Sequence, residues 1–274
     1  MSRDNLVLVR GGGDLATGVA LRLHRAGIGV VVTELPQPLA VRRTVAFAEA
    51  VYEGVCEVEG VRGRLVGADQ LSAALEAGEI PVLIDPDLDI LTIIPFLVVV
   101  DGRLTKRPAE PLPHPVPLHI GLGPGFTAGS DCHAVIETRR SHTLGRVIWH
   151  GPTQPDSGEP EGDPRRVLRA SGDGILTAHA KIGERVKEGQ LIAEIQSEIE
   201  NRKSKVESPF AGVLRGIVHD GLMVRQGMKV GDVDPRNDPS YCYLVSDKAL
   251  AIGGGVLEAV LSKREIRERL FGGR

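Results

Sequence analysis

Residues 174–234 carry one half-motif written twice, and this repeat constrains the fold more than any other feature of the chain. GILTAHAKIGERVKEGQLIAEIQ runs from Gly174 to Gln196, and GVLRGIVHDGLMVRQGMKVGDVD from Gly212 to Asp234. At one fixed offset, Gly174, Gly183, Val186, Gly189, Ile192 and Ile195 fall on Gly212, Gly221, Val224, Gly227, Val230 and Val233. Apolar residues alternate at period two in each copy, with glycine where the chain must turn tightly. Period two means strands, and two such halves make one small flattened barrel.

The join Val206-Glu207-Ser208-Pro209-Phe210-Ala211-Gly212 resembles the V-x-A/S-P-x-x-G stretch of biotinyl/lipoyl domains, whose fold is a barrel-sandwich hybrid. Such carriers hold a modified lysine at the hairpin tip between the halves. Here the tip reads Ser197-Glu198-Ile199-Glu200-Asn201-Arg202-Lys203, and the acceptor position falls on Asn201. Lys203 and Lys205 lie close but lack the flanking residues. The expectation is a barrel used for docking or shape, without covalent biotin or lipoate, since a fold does not bring its function along.

The N-terminal third reads as β-α-β. Leu6-Val7-Leu8-Val9 is a short buried strand that runs into Arg10-Gly11-Gly12-Gly13-Asp14-Leu15-Ala16; a helical pattern and a second strand, Ile28 to Thr33, follow and end at Glu34. Gly11-x-Gly13-x-x-Ala16 fits the dinucleotide fingerprint. Gly11 permits the tight turn, Gly13 lets backbone approach a phosphate, and the helix N-terminus offers free N–H groups and a positive dipole end. Glu34 stands where an acid would accept ribose hydroxyls. NAD(P) is therefore a candidate cofactor, although the Asp14 carboxylate would repel a phosphate there. The alternative is a Rossmann scaffold whose glycines serve only helix–strand packing. Ile80–Asp85 and Phe96–Asp101 read as further buried strands, each ending in an aspartate that either borders a site or caps a loop.

The densest glycine loop is Gly121-Leu122-Gly123-Pro124-Gly125-Phe126, followed by Cys132, His133 and, further on, Arg139, Arg140 and Arg146. Three chemistries compete. The backbone at Gly121, Gly123 and Gly125 could cradle a phosphate or pterin phosphate, with Arg146 or its neighbours supplying charge. Cys132 beside His133 could be an activated thiol. Cys132, His133 and His142 could hold a metal, but their spacing matches no standard set, so no metal site is assigned. Neighbouring residues on a strand point to opposite faces, which argues against Cys132 and His133 serving one ligand together.

Together these segments give an α/β chain, a Rossmann-like parallel-sheet domain with an inserted all-β barrel. The expected layout is 1–150 for the first domain with its glycine-rich segment, 151–165 for a linker rich in proline, glycine and acids, 166–236 for the barrel, and 237–274 for a strand and helix returning to the first domain. At 274 residues the chain has room for two domains. Its formal charge of -3 and pI near 6.3 give no electrostatic case for nucleic acid or an anionic membrane. Pro95 interrupts the most apolar stretch, so a membrane helix is not expected. The start lacks a signal-peptide layout, and three widely spaced cysteines suggest reduced thiols and a cytoplasmic setting. Nothing in the chain sets its oligomeric state.

GGGDLATGVALRLHRAGIGVVVTELPQP, RRTVAFAEAVYEG, GLGPGFTAGSDCHAVIETRRSH and SDKALAIGGGVLEAVL resemble stretches of the accessory proteins of the selenium-dependent molybdenum hydroxylase system. The resemblance implies an accessory factor in the maturation of a molybdenum hydroxylase of the xanthine dehydrogenase type. Such a factor would bind molybdenum cofactor, a nucleotide or the target enzyme. The alternative is an NAD(P)-dependent or sulfur- or selenium-transferring enzyme. Whether the protein catalyses a reaction is left open.

Overall fold

The computed structural model describes residues 5–158, 162–197 and 203–272; Asn201, at the expected acceptor position, and 159–161, within the expected linker, lie outside them. The chain divides into two compact units, one of Met1–Pro38, Ala46–Ser157 and Val245–Arg274, the other of Leu39–Val45 and Gly158–Leu244.

In chain order the first unit begins with β1 (Leu6–Arg10), α1 (Asp14–Arg25), β2 (Gly29–Glu34), α2 (Ala50–Glu53), β3 (Val55–Val58), β4 (Val61–Leu65), α3 (Leu71–Glu76) and β5 (Ile80–Ile84). It continues with α4 (Ile90–Ile93), β6 (Phe96–Asp101), β7 (Leu118–Leu122), β8 (Thr127–Ala128), β9 (Ala134–Ile136), β10 (Val147–Ile148) and β11 (Gly151–Pro152). One nine-stranded sheet takes the order β10-β9-β7-β6-β1-β2-β5-β4-β3. The strands β9, β7, β6, β1, β2, β5 and β4 pair in parallel throughout; the edges β10 and β3 are antiparallel. Unbroken apolar runs such as Leu6–Val9, each residue at most 1% exposed, suit strands covered on both faces. From β1 the chain goes to β2 on one side and later to β6 on the other. In open α/β sheets such a reversal marks where ligands bind, beyond the carboxyl ends of the central strands.

One face of this sheet buries Leu6, Leu8, Val31 and Val99 against Leu71, Leu88 and Ile90. On the other face lie α1 and α5 (Asp247–Ser262), and α6 (Arg264–Phe271) follows. The expected helix from Val256 to Leu270 is thus two helices, and the first begins earlier and runs through the Gly253-Gly254-Gly255 stretch. Glycine weakens a helix, but here it lets backbones meet: a Cβ on Gly253 would lie 2.6 Å from the Gly18 carbonyl oxygen of α1. Ser246 Oγ accepts from the Ala249 N–H at 3.1 Å and caps α5, as its residue type suggests. Between β2 and α2, 3₁₀ turns form at Arg43–Val45 and Phe47–Glu49. No strand forms at 241–245, because Pro239 and the Asp238 carboxylate, which accepts from Ser240 N–H at 2.9 Å, start a 3₁₀ turn over Pro239–Cys242.

The second unit contains β12 (Val167–Arg169), β13 (Gly174–Ala178), β14 (Arg185–Val186), β15 (Leu191–Gln196), β16 (Lys203–Glu207), β17 (Gly212–Ile217), β18 (Met223–Val224) and β19 (Lys229–Asp234). They form two four-stranded sheets, β12-β19-β17-β14 and β16-β15-β13-β18. The repeat explains the pairing, because each half lends its short strand, β14 or β18, to the sheet of the other. Gly189 and Gly227 hold equivalent turns at φ +74° and +79°, where a side chain would be strained. Leu176, Ile192 and Ile195 from one half and Leu214, Val230 and Val233 from the other are all at most 1% exposed. The chain is therefore α/β, with one large, mostly parallel sheet and separate antiparallel sheets. Among the described residues no helix is long and apolar enough to cross a membrane.

Candidate functional site

The turn after β1 gathers the first set of expected residues. Gly11 adopts φ +93° and sends its N–H to the Thr33 carbonyl at 2.8 Å. Gly12 donates its N–H to Glu34 Oε1 at 2.7 Å, while Glu34 Oε2 accepts from Leu35 N–H at 2.8 Å. Glu34 thus reaches back to the glycine turn. Burial pushes its carboxyl above the ordinary value of 4.5, and the two N–H groups pull it down less strongly. A Cβ on Gly12 would lie 2.7 Å from Ala48 N, so that glycine serves the chain's own packing. Ala16 is buried against Gly102. Gly13 differs from them all. It opens α1 in an extended conformation with no side-chain cap, and nothing lies within 4 Å of the Cβ it lacks. Asp14 follows in the first helical turn.

Next to this turn is room for an apolar group. In register across β2 and β5, Glu34 pairs with Ile84, which lines a cavity of about 550 Å³ with Leu65, Gln70, Leu83, Ile90 and Ile93. Ile84 and Ile93 are 46% and 64% exposed, an unusual state for two isoleucines at strand and helix ends. The two aspartates at strand ends have structural partners. Asp85 accepts from Asp89 and Ile90 N–H at 2.9 and 3.0 Å, and buried Asp101 pairs with Arg103 at 2.8 Å and Arg10 at 3.5 Å.

The second glycine loop does not offer the same opening. A Cβ on Gly121 would meet the Phe126 ring, on Gly123 the Thr138 side chain, and on Gly125 the Arg107 carbonyl. The space these glycines leave is filled from within the chain. Arg146, which is exposed, donates from Nε to the His142 carbonyl at 3.2 Å. Cys132 is 7% exposed, donates to the Ala134 carbonyl at 3.3 Å, and has its thiol pushed up to about 11 by burial. That is the reverse of an activated nucleophile. His133 is exposed while Cys132 is buried, so the two do not act as a pair. Cys132, His133 and His142 do not bring their ligand atoms within 4.8 Å of one another.

A second cavity, of about 1090 Å³, opens at the amino-terminal ends of β7 and β9. His133, Trp149 and Lys263 line it, as does His119, which the sequence reading passed over. The signal was available: His119 is the one polar residue in the strand Leu118-His119-Ile120-Gly121-Leu122, all of it buried. His119 N–H donates to His133 Nδ1 at 2.9 Å. The His119 ring stands edge-on to Phe126, with centroids 5.9 Å apart, and its Nε2 is buried with no hydrogen-bond partner.

No model of a known protein family matches the chain. It is 46% identical over 265 residues to "Uncharacterized protein YqeB" of Escherichia coli K12, an alignment that takes in 95% of this chain and 48% of that protein. The chain thus spans about half the length of this curated relative. Among solved structures, it is similar to the ectoine utilization protein EutE (DoeB) from Ruegeria pomeroyi, at 12% identity and TM-score 0.26 over 83% of this chain and 85% of that one. It is also similar to an aspartoacylase family protein from Mesorhizobium loti, at 11% identity and TM-score 0.30 over 83% and 84%. A succinylglutamate desuccinylase/aspartoacylase from Rhodobacter sphaeroides gives 16% identity and TM-score 0.29 over 84% and 85%. At these TM-scores none of the three lends this chain its fold or its activity.

These findings correct the expected family. YqeB is described as uncharacterized, and the solved structures named above are described as ectoine-utilization and aspartoacylase or desuccinylase proteins, not as molybdenum hydroxylase accessory proteins. Membership in the selenium-dependent accessory family and the role in maturing a molybdenum hydroxylase are therefore not assigned to this chain. The alternative of sulfur or selenium transfer loses its nucleophile with the buried Cys132 thiol.

Proposed function

We propose that the first unit is a Rossmann-like nucleotide-binding domain that takes a nucleoside phosphate at the carboxyl ends of β1, β2 and β5. The single observation that carries this reading is Gly13, a glycine at an uncapped helix N-terminus with open space where its side chain would be. Helix N-termini attract phosphate through free N–H groups and the helix dipole. Three further features support it. The order β5-β2-β1-β6-β7-β9 is the 3-2-1-4-5-6 order of doubly wound dinucleotide folds. Glu34 stands at the end of β2, already oriented by two N–H groups and able to exchange one for a ribose hydroxyl. The cavity at Ile84 offers apolar walls for a base. The second unit is, on this reading, a barrel-sandwich hybrid without an acyl carrier role: Lys203 lies within β16 and pairs with Glu194 at 3.2 Å. An odd number of free cysteines favours a cytoplasmic setting.

Thermal shift tests the proposal. ATP, ADP, NAD and NADP are added singly to wild type and Gly13→Val. A true ligand at a hundredfold excess over its Kd stabilises by about 2.7 kcal/mol, a readily measured rise in melting temperature. The variant should melt like wild type without ligand and lose the rise. If none of the four raises the wild-type melting temperature, the glycines are packing residues and the scaffold reading holds.

A further inference from the structure

We propose that the cavity beneath β7 and β9 is a second binding site, for a small organic acid that also carries a hydroxyl or amine hydrogen-bond donor. Its polar groups sort by charge and by role. Lys263 Nζ sits 4.2 Å over the Trp149 ring, held there by the ring's negative face, and no carboxylate among the described residues pairs with it. The His133 ring is fixed by its Nδ1, which accepts from His119 N–H at 2.9 Å. In its neutral form the proton must then be on Nε2, so His133 presents a donor. Asp131, the carboxylate on this lining, is already accepting from Thr127 N–H at 2.9 Å. Lys263 and His133 together suit a ligand carboxylate.

His119 supplies the opposite requirement. It is 5% exposed, and its Nε2 has no partner in the wall of a cavity. A buried nitrogen left unpaired costs free energy, and chains seldom keep one without a use. Burial lowers the affinity of this ring for a second proton, and the nearby Asp101 carboxylate only partly opposes that. With the ring neutral, the tautomer that carries its hydrogen on Nδ1 leaves a lone pair on the unpartnered Nε2. Phe126, seated on Gly121, holds the ring in place edge-on at 89°. A hydroxyl or amine on the ligand is the donor that this lone pair lacks.

The chain's single tryptophan lines this cavity, so its fluorescence reads the site directly. Glycolate and acetate differ only in the hydroxyl and are the probes. Titrated to about 50 mM, enough to detect millimolar affinity, glycolate should shift Trp149 emission and bind about tenfold more tightly than acetate. Lys263→Met, which keeps the stem and removes the charge, should weaken both acids by a similar factor. His119→Phe keeps an aromatic ring against Phe126 and removes the lone pair. It should raise the melting temperature of the ligand-free protein and make glycolate bind no better than acetate. If His119→Phe fails to fold, the wild-type comparison and Lys263→Met still decide. An unmoved Trp149 signal, or equal binding of the two acids by wild type, overturns the proposal. The site shares no residue with the Gly13 to Glu34 turn, so its failure would leave the nucleotide reading untouched.

Discussion

In the turn after β1, nothing lies within 4 Å of the Cβ that Gly13 lacks; in the loop after β7, the corresponding space at Gly121, Gly123 and Gly125 is taken by Phe126, Thr138 and Arg107. Both runs are glycine-dense and follow an apolar strand, and as sequence they invite the same reading. The difference lies in what approaches the missing side chain. In the second loop the chain's own atoms do, and Phe126 together with buried Ala128, Cys132 and Val135 forms a small core there. In the first turn the glycines differ: Gly12 receives Ala48, and Gly13 has open space beside it. Glycine marks a close approach, and only packing tells whether the approaching group belongs to the protein.

The largest effect should come from placing a methyl group where the loop is full. Gly125 holds φ +110° and its Cβ would strike the Arg107 carbonyl, so Gly125→Ala combines backbone strain with a steric clash. A loss of about 3 kcal/mol or more is expected from urea unfolding. A loss under about 1 kcal/mol would mean that the loop has slack, and the contrast with Gly13 would weaken.

A smaller effect separates packing from chemistry within that loop. With its thiol pushed up to about 11, Cys132 has roughly one thiolate in ten thousand molecules near neutral pH. Iodoacetamide should label it far more slowly in the folded protein than in urea, and Cys132→Ala should cost about 1–2 kcal/mol through the cavity it leaves. Rapid labelling of native Cys132 would restore a reactive role that its burial argues against.

Much of this contrast could not be read from sequence, and the reasons are specific. The strands were legible because Leu6–Val9, Ile80–Ile84 and Phe96–Val100 are apolar runs too short for helices and bounded by glycine, proline or aspartate. The duplicated halves were legible because a fixed offset preserves both turn glycines and core residues. The use of the α5 glycines Gly253 and Gly255 is not legible locally, because it depends on Gly18 and Gly145, residues far away in sequence that pack against them. His119 shows in sequence as a polar residue in an apolar strand, but its unpartnered nitrogen is visible only once its neighbours are placed. Local patterns reveal which residues turn or bury, whereas a site depends on which groups remain unsatisfied after folding.

Glu34 allows the open turn to be probed by pH. Burial raises its pKa above 4.5, so its contribution to stability is fully present below the unfolded value and is lost as pH rises through the folded one. Glu34→Gln cannot titrate. Measured by urea midpoints between about pH 4 and pH 8, the advantage of wild type over the variant should be greatest in acid and shrink as pH rises. A gap that widens with pH would mean that the N–H groups of Gly12 and Leu35 outweigh burial, and that the turn is already satisfied by its own carboxylate.

The smallest expected change in stability is the sharpest test of the comparison, because it repeats the Gly125 substitution at the other turn. Gly13 has φ -64°, which alanine adopts freely, and its Cβ would meet no atom. Gly13→Ala should therefore shift the urea midpoint by no more than about 0.5 kcal/mol equivalent, and the smaller entropy of the unfolded alanine chain could even make the shift favourable. The same methyl group would nonetheless occupy the space a phosphate needs at the start of α1, and nucleotide affinity should fall about tenfold. Stability kept with binding lost would show that the space at Gly13 is held open for a ligand. Stability and binding both kept would show an opening that no ligand uses, and the two glycine turns would then differ in packing alone.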